Sequence, residues 1–452
     1  MKRKNMINIM GSVINYKKLS LPEKELVRQE RLRELVSYAQ NKSPYFNKLY
    51  TDISEDFKLS DLPVTNKVEL MEHFDEWITD RDIKLEDINK FMKNLDNIGR
   101  KFNGRYMVFT TSGSTGNPLV VLYDKYTKNV LDAVSIFRSF ARKEDMKAFI
   151  KRGGKSAGVY ATGGFYLGNS TIRSKQLAMP WKKKKVVITS ILKPMNQIVD
   201  ELNKFGPAML GGYPTALDLL ADEQNSGNLY IKPAIVMTGG EYLSDELRDK
   251  LKKVFGCYVQ TNYACTEGGM VSGECSGQHF HVNDDWIIVE PVDKDNNPIE
   301  DGERADKWLL TNLSNFTQPF IRYEITDRII LHKEGCECGN PSPWIEIEGR
   351  TDEILIFKHI NDQEDVKLAP LAFYAILKEV HEIERFQLIL HENNKLELRL
   401  IADNKLLSFE KAKDKLEKYL LQNEVSPEIY LSDLEPRRHP QSGKFKHVYK
   451  EF

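Results

Sequence analysis

The sequence predicts an α/β protein. A large N-terminal domain of α/β sheets with a β-rich portion is expected over residues 1–350, and a small α+β C-terminal domain over 351–452. Three observations carry that expectation. From about residue 155 to 265, short apolar runs alternate with amphipathic helical patterns. From 280 to 350 the chain is strand-rich. After Gly349 the texture changes to two strands and a lysine-rich helix.

The elements follow in order. Leu26, Leu32, Leu35 and Val36 recur at near-helical spacing within residues 20–50. Val108-Phe109 and Val120-Val121-Leu122 read as strand edges around a loop, and a further helix is expected over 125–145. Val186-Val-Ile188 reads as a strand, followed by a helix whose face is Met195, Ile198, Val199, Leu202 and Phe205. Ala234-Ile-Val-Met237 is a compact buried strand. Ser244 caps the next helix, Asp245 and Glu246 favour its positive end, and Gly256 stops it. Residues 383–402 give two strands around Glu392-Asn-Asn394, and a helix follows near 408–422.

Composition narrows the function classes. The chain has 452 residues, enough for two or three domains, and balances 65 Lys+Arg against 66 Asp+Glu. A net charge of -1 argues against general nucleic-acid binding. No apolar run approaches the roughly 20 residues that span a bilayer. The basic N-terminus lacks a long apolar stretch, so no secretory signal is expected. Five cysteines are too few for a disulfide scaffold, and cytoplasmic residence is the expectation.

Several motifs carry chemistry. Thr110, Thr111, Ser112, Ser114 and Thr115 place hydroxyls in a loop where Gly113 and Gly116 let backbone N–H groups turn toward an anion. Such a loop holds phosphate, although taken alone it reads more readily as a hairpin linker, and only the motifs downstream favour phosphate. Asn117-Pro118 follows Gly116, so the lysine of a Walker A loop is missing. Thr238-Gly-Gly-Glu241 follows a buried strand, and its glycines clear space for a flat ring. In Asn262-Tyr-Ala-Cys-Thr-Glu-Gly-Gly269, Tyr263 can stack on a base, Thr266 can bond a phosphate oxygen, and Glu267 is a hard oxygen ligand suited to Mg²⁺. Asp327, within Arg322–Arg328, can accept two ribose hydroxyl bonds. Glu348-Gly-Arg-Thr-Asp-Glu353 and Gln441-Ser-Gly-Lys444 complete the series.

In this order and spacing the motifs resemble those of the adenylate-forming superfamily of acyl-CoA synthetases, non-ribosomal adenylation domains and luciferases. Within it, the chain looks most like the phenylacetate–CoA ligase branch and its capsule-biosynthesis-associated relatives. The resemblance implies ATP-dependent activation of a small-molecule carboxylate to an acyl-adenylate, followed by transfer to an acceptor. It assigns Thr111 and Ser112 to Gly116 to ATP phosphates. Gly239, Gly240, Glu241, Asn262 and Tyr263 fall to the adenine, and Asp327 and Arg350 to the ribose. Thr266 falls to the α-phosphate, Glu267 to Mg²⁺, Asp352 to the hinge of a mobile C-terminal domain, and Lys444 to catalysis.

Past the hinge the chain departs from thioester-forming relatives. Their glycine-containing segment is replaced by Ile354–Pro370, with polar residues inserted near 361–365. The acceptor is accordingly CoA, an amine or a carrier-protein thiol. Tyr160, Phe165 and Tyr213 either wall an aryl-acid pocket or serve as core aromatics. Cys275, His281, Cys336 and Cys338 supply three thiolates and an imidazole, a closed set for structural Zn²⁺, with His279 as rival ligand. Some phenylacetate–CoA ligase-like proteins resemble this pattern. Two other readings share the fold: adenylation of a phenol-like hydroxyl, as in coenzyme F390 synthetases, and a catalytically silent, zinc-braced binding protein.

Overall fold

The computed structural model describes residues 5–111, 118–179, 184–241, 243–333, 335–348, 355–362, 364–368, 370–437 and 447–451. The chain divides into two units. One comprises Met1–Thr110, Leu119–Lys147 and Gln260–Arg350; the other comprises Thr111–Pro118, Ala148–Val259 and Thr351–Phe452.

In the first unit, the helix Leu21–Lys42 starts at a capping box in which the Ser20 N–H and hydroxyl both donate to Glu23, at 2.8 and 2.7 Å. Tyr106–Thr110 and Val120–Tyr123 pair antiparallel, with Phe109 opposite Val121 and Thr110 opposite Val120. Asp124 then caps the helix Lys125–Arg138 through the Thr127 N–H at 2.8 Å. Antiparallel sheets follow: Tyr258–Cys265 pairs with Gly269–Glu274, and Ile287–Val292 pairs with Lys307–Asn312 and Tyr323–Ile325.

Distant segments close this unit. The Trp77 indole donates to Pro319 O at 2.7 Å, Thr79 donates to Phe316 O at 2.9 Å, and Thr65 donates to Ile321 O at 2.9 Å. Trp77 also meets Phe320 edge-on, with ring centroids 5.0 Å apart. Arg322 adopts a left-handed backbone, φ 46°. Its guanidinium donates to Leu62 O at 2.5 Å and to Glu290 at 3.2 Å. Burial pushes the Glu290 carboxyl up to about 7, against the pull of Arg322.

The second unit holds a parallel sheet in the order Val186–Ser190, Ser156–Tyr160, Met209–Gly212, Ile235–Thr238. The chain enters at Ser156–Tyr160, adds one neighbour, then crosses to the other side, so the strand order reverses between Ser156–Tyr160 and Met209–Gly212. Ligands of such sheets bind beyond the carboxyl ends of strands at this reversal. The helix Asp245–Phe255 has the expected bounds: Ser244 accepts from the Leu247 N–H at 3.2 Å, and Gly256 takes φ 62°.

The C-terminal residues form a four-stranded sheet, Glu428–Leu431, Lys395–Ala402, Ile383–His391 and Val448–Lys450. Its apolar face (Phe386, Leu388, Leu398, Leu400) packs with Phe373, Leu377, Leu416 and Leu420 of the helices Pro370–Lys378 and Lys405–Gln422. A hairpin, Leu355–Lys358 with Asp365–Leu368, precedes them, so the polar insertion near 361–365 falls at its turn. The fold class is the mixed α/β one expected. No helix among the described residues is long and apolar enough to cross a membrane.

Candidate active site

In the first unit, the strands Tyr258–Cys265 and Gly269–Glu274 meet with Cys265 opposite Gly269, which leaves Thr266, Glu267 and Gly268 as the turn. Gly269 takes φ 71°, and a Cβ there would lie 3.1 Å from Leu131 Cδ1, so glycine is required on two counts. The turn is held by its backbone. The buried Tyr123 hydroxyl donates to Thr266 O at 2.8 Å, and the Asn312 amide donates to Glu267 O at 2.8 Å. Neither bond uses a side chain of the motif.

Two carboxylates converge beside this turn. Tyr263 Oη donates to Asp327 Oδ2 at 2.6 Å. Burial, then the Asp327 charge, raises the Tyr263 pKa well above its ordinary value. Burial raises Cys265 as well, and Glu267 and Asp327 both add to that shift. One thiol therefore feels both acids. A half-buried Cys265 held protonated is a small filler and no nucleophile. Asn262 Oδ1 accepts from Gln260 Nε2 at 3.2 Å, which ties it into the sheet beneath the turn.

In the second unit, two of the predicted residues meet at the strand-order reversal. Tyr160 ends the strand Ser156–Tyr160, and Tyr213 immediately follows Met209–Gly212. Their rings meet edge-on at 5.2 Å. Burial pushes Tyr160 up to about 12. Phe165 is buried nearby in the chain, at 4% exposure. The ring that lies against Gly240 is Tyr213's own: a Cβ at Gly240 would stand 3.0 Å from Tyr213 Cε1. Gly240 takes φ 84°, and Gly239 precedes it after the strand Ile235–Thr238. Glu241 has a role the sequence did not suggest. Its Oε2 accepts from the Thr215 N–H at 3.1 Å and the Thr215 hydroxyl at 2.8 Å, capping the helix Pro214–Asn225 from another element.

Thr111 is half-buried. Ser112, Gly113, Ser114, Thr115, Gly116, Arg350, Asp352 and Lys444 lie outside the described residues. The residues that sequence reasoning missed are Tyr123 and Asn312, because each supports a backbone carbonyl that no motif announces.

The cysteine set comes together. One ligand atom from each of Cys275, His281, Cys336 and Cys338 lies within 4.8 Å of all the others. Cys275 Sγ and Cys336 Sγ are 3.8 Å apart, and Cys338 Sγ is 3.3 Å from His281 Nε2. His281 Nδ1 contacts Ser342 O at 2.7 Å, which fixes the tautomer with Nε2 facing the sulfurs. His279 takes a different post: it stacks on Trp344 at 4.1 Å, and its Nδ1 meets Cys336 Sγ at 3.3 Å.

No family model matches the chain. It is 25% identical over 399 residues to the phenylacetate-coenzyme A ligase of Thermus thermophilus, covering 84% of this chain and 81% of that protein. It is 25% identical over 327 residues to protein CapK of Staphylococcus aureus, covering 68% of this chain and 63% of that protein. A crystal structure of 2-hydroxyisobutyryl-CoA ligase with 2-HIB-AMP and CoA matches the fold with TM-score 0.60 at 16% identity, over 97% of this chain and 91% of that one. In sequence the chain is similar to a phenylacetate-coenzyme A ligase and to CapK, and in fold to a CoA ligase, all of which point to the adenylate-forming ligases. Its sequence likeness is phenylacetate–CoA ligase-like.

Proposed function

We propose that this protein is an ATP-dependent acid–thiol ligase that converts a carboxylic acid to its acyl-adenylate and passes the acyl group to CoA. In the first step a carboxylate oxygen attacks the α-phosphorus of ATP, the bond to the pyrophosphate oxygen breaks, and pyrophosphate leaves. In the second, the CoA sulfur attacks the acyl carbonyl, the bond to the AMP oxygen breaks, and the thiol proton passes to solvent. The observation that carries this reading is the Tyr263–Asp327 pair, 2.6 Å, beside the turn that presents Thr266 and Glu267.

Catalysis of this kind is positioning plus charge stabilisation. Ser112 to Gly116 and Thr111 hold phosphates. Thr266 bonds the α-phosphate, Asp327 with Arg350 binds ribose, and Gly239, Gly240 and Glu241 border the adenine with Asn262 and Tyr263. Glu267 offers a hard carboxylate oxygen for Mg²⁺, which neutralises phosphate charge when bound. Lys444 supplies a cation to the adenylation step, and Asp352 is the hinge about which its domain turns. Tyr160, Phe165 and Tyr213 lie at or near the strand-order reversal and suit an aryl acid.

The phenylacetate and 2-hydroxyisobutyryl enzymes are CoA ligases, which favours CoA over an amine or a carrier protein as acceptor. The Cys/His set fits structural Zn²⁺. A tetrahedral centre with metal–sulfur bonds of about 2.3 Å puts thiolates about 3.8 Å apart, and four protein ligands close the coordination sphere. Dependence on ATP and CoA fits residence in the cytoplasm. The test is acid-dependent pyrophosphate exchange across aryl and aliphatic acids. Exchange with none of them sinks the reading, whereas Lys444→Ala should abolish exchange while ATP still binds.

A further inference from the structure

We propose that Lys24 is a positioning residue for the metal centre: its ammonium holds Ser342, the residue whose carbonyl orients His281. The inference rests on the zinc reading above. Lys24 sits on the helix Leu21–Lys42 and is 2% exposed. A buried lysine normally finds a carboxylate. Here Nζ donates instead to Ser342 Oγ at 3.3 Å and stands 5.1 Å from the Tyr16 ring centroid.

Ser342 is a node of the metal knuckle. Its carbonyl meets His281 Nδ1 at 2.7 Å, and its N–H donates to Asn340 Oδ1 at 3.2 Å. The Asn340 N–H in turn reaches Cys338 Sγ at 3.4 Å. One residue thus touches the orienting bonds of two ligands, and Lys24 is the cation on it.

The ligand set carries charge of its own. Three thiolates, a neutral imidazole and a divalent ion leave one surplus negative charge in a partly buried place. Burial draws the Lys24 ammonium below the usual lysine range, and Asp284 opposes that shift. An anionic metal centre adds to the pull toward the charged form.

The test uses the full chain carrying zinc or substituted cobalt. Zinc release to an excess of a colorimetric chelator and the thiolate-to-cobalt absorption are read for wild type, Lys24→Met, Lys24→Arg, Ser342→Ala and Lys18→Met. Loss of an outer partner typically costs about 10–100-fold in metal affinity. We expect Lys24→Met and Ser342→Ala to release zinc about tenfold faster with a shifted cobalt spectrum, Lys24→Arg to recover most of the retention, and Lys18→Met to match wild type. Wild-type rates and spectra in both Lys24→Met and Ser342→Ala would overturn the inference and leave the zinc site standing. A wild-type chain that takes up neither metal would instead overturn the zinc reading, and this inference with it. Should Lys24→Met fail to fold, Ser342→Ala carries the same decision from the other side of the bond.

Discussion

Two glycine-bearing turns, Thr238–Glu241 and Thr266–Gly269, follow apolar strands and look alike in sequence, yet they are built in opposite ways. At Thr266–Gly269 the support comes from outside: Tyr123 and Asn312 grip backbone carbonyls. At Thr238–Glu241 the acid of the motif is itself a support, since Glu241 caps the helix Pro214–Asn225 through Thr215. A motif held by its neighbours can commit its side chains to chemistry. A motif that holds its neighbours has tied its acid to stability.

That contrast can be broken by substitution. The largest effect is expected for Glu267→Gln: acid-dependent pyrophosphate exchange should fall by about 10²-fold or more, while the melting temperature stays within about 2 °C. A large loss of stability would place Glu267 with Glu241 and erase the distinction. Next, Tyr123→Phe strands the half-buried Thr266 carbonyl and should cost about 1 kcal/mol by denaturant titration, with a fall in exchange.

Glu290 sharpens the comparison from a third direction, as a buried acid outside both turns. Its folded-state pKa is raised from 4.5 to about 7. Its contribution is therefore fully present below pH 4.5 and is lost as pH rises through 7. The unfolding free energy of wild type should drop by roughly 2 kcal/mol between pH 5 and 8 relative to Glu290→Gln. Parallel pH profiles for the two would contradict this. The smallest effect is expected for Glu241→Ala, where losing the cap should cost about 1 kcal/mol and slow exchange less than tenfold.

How much of this was legible depended on the range of the forces involved. The helix Asp245–Phe255 was readable from its own ends because Ser244 and Gly256 act within one turn. The pairing of Tyr106–Thr110 with Val120–Tyr123 was equally local. The helix Met6–Tyr16 was not expected. Its Gly11 and its β-branched Ile7, Ile9, Val13 and Ile14 are weak helix formers, and burial of Ile9, Val13 and Tyr16 overrides that tendency. At the Cys/His cluster the sequence supplied the residue types. Spacing alone could not choose between His279 and His281: each ring meets one sulfur at 3.3 Å, and only His281 joins the set whose four ligand atoms lie within 4.8 Å of one another. Tyr123, Asn312 and Lys24 left no trace in any motif, since each matters through what lies 45 to 318 residues away.

The bonds from Trp77 and Thr79 to residues 316–319 set a schedule for synthesis. Trp77 and its acceptor at Pro319 are separated by 242 positions. At ribosomal speeds that is roughly 12–50 s during which the early aromatic residues have emerged and their counterparts have not. Residues 148–259 meet no such delay, since their parallel strands pair with one another. Nascent chains stalled near residue 280 should therefore be cut readily by protease within their first hundred residues and resist it across 156–238, an order of maturation opposite to the order of translation.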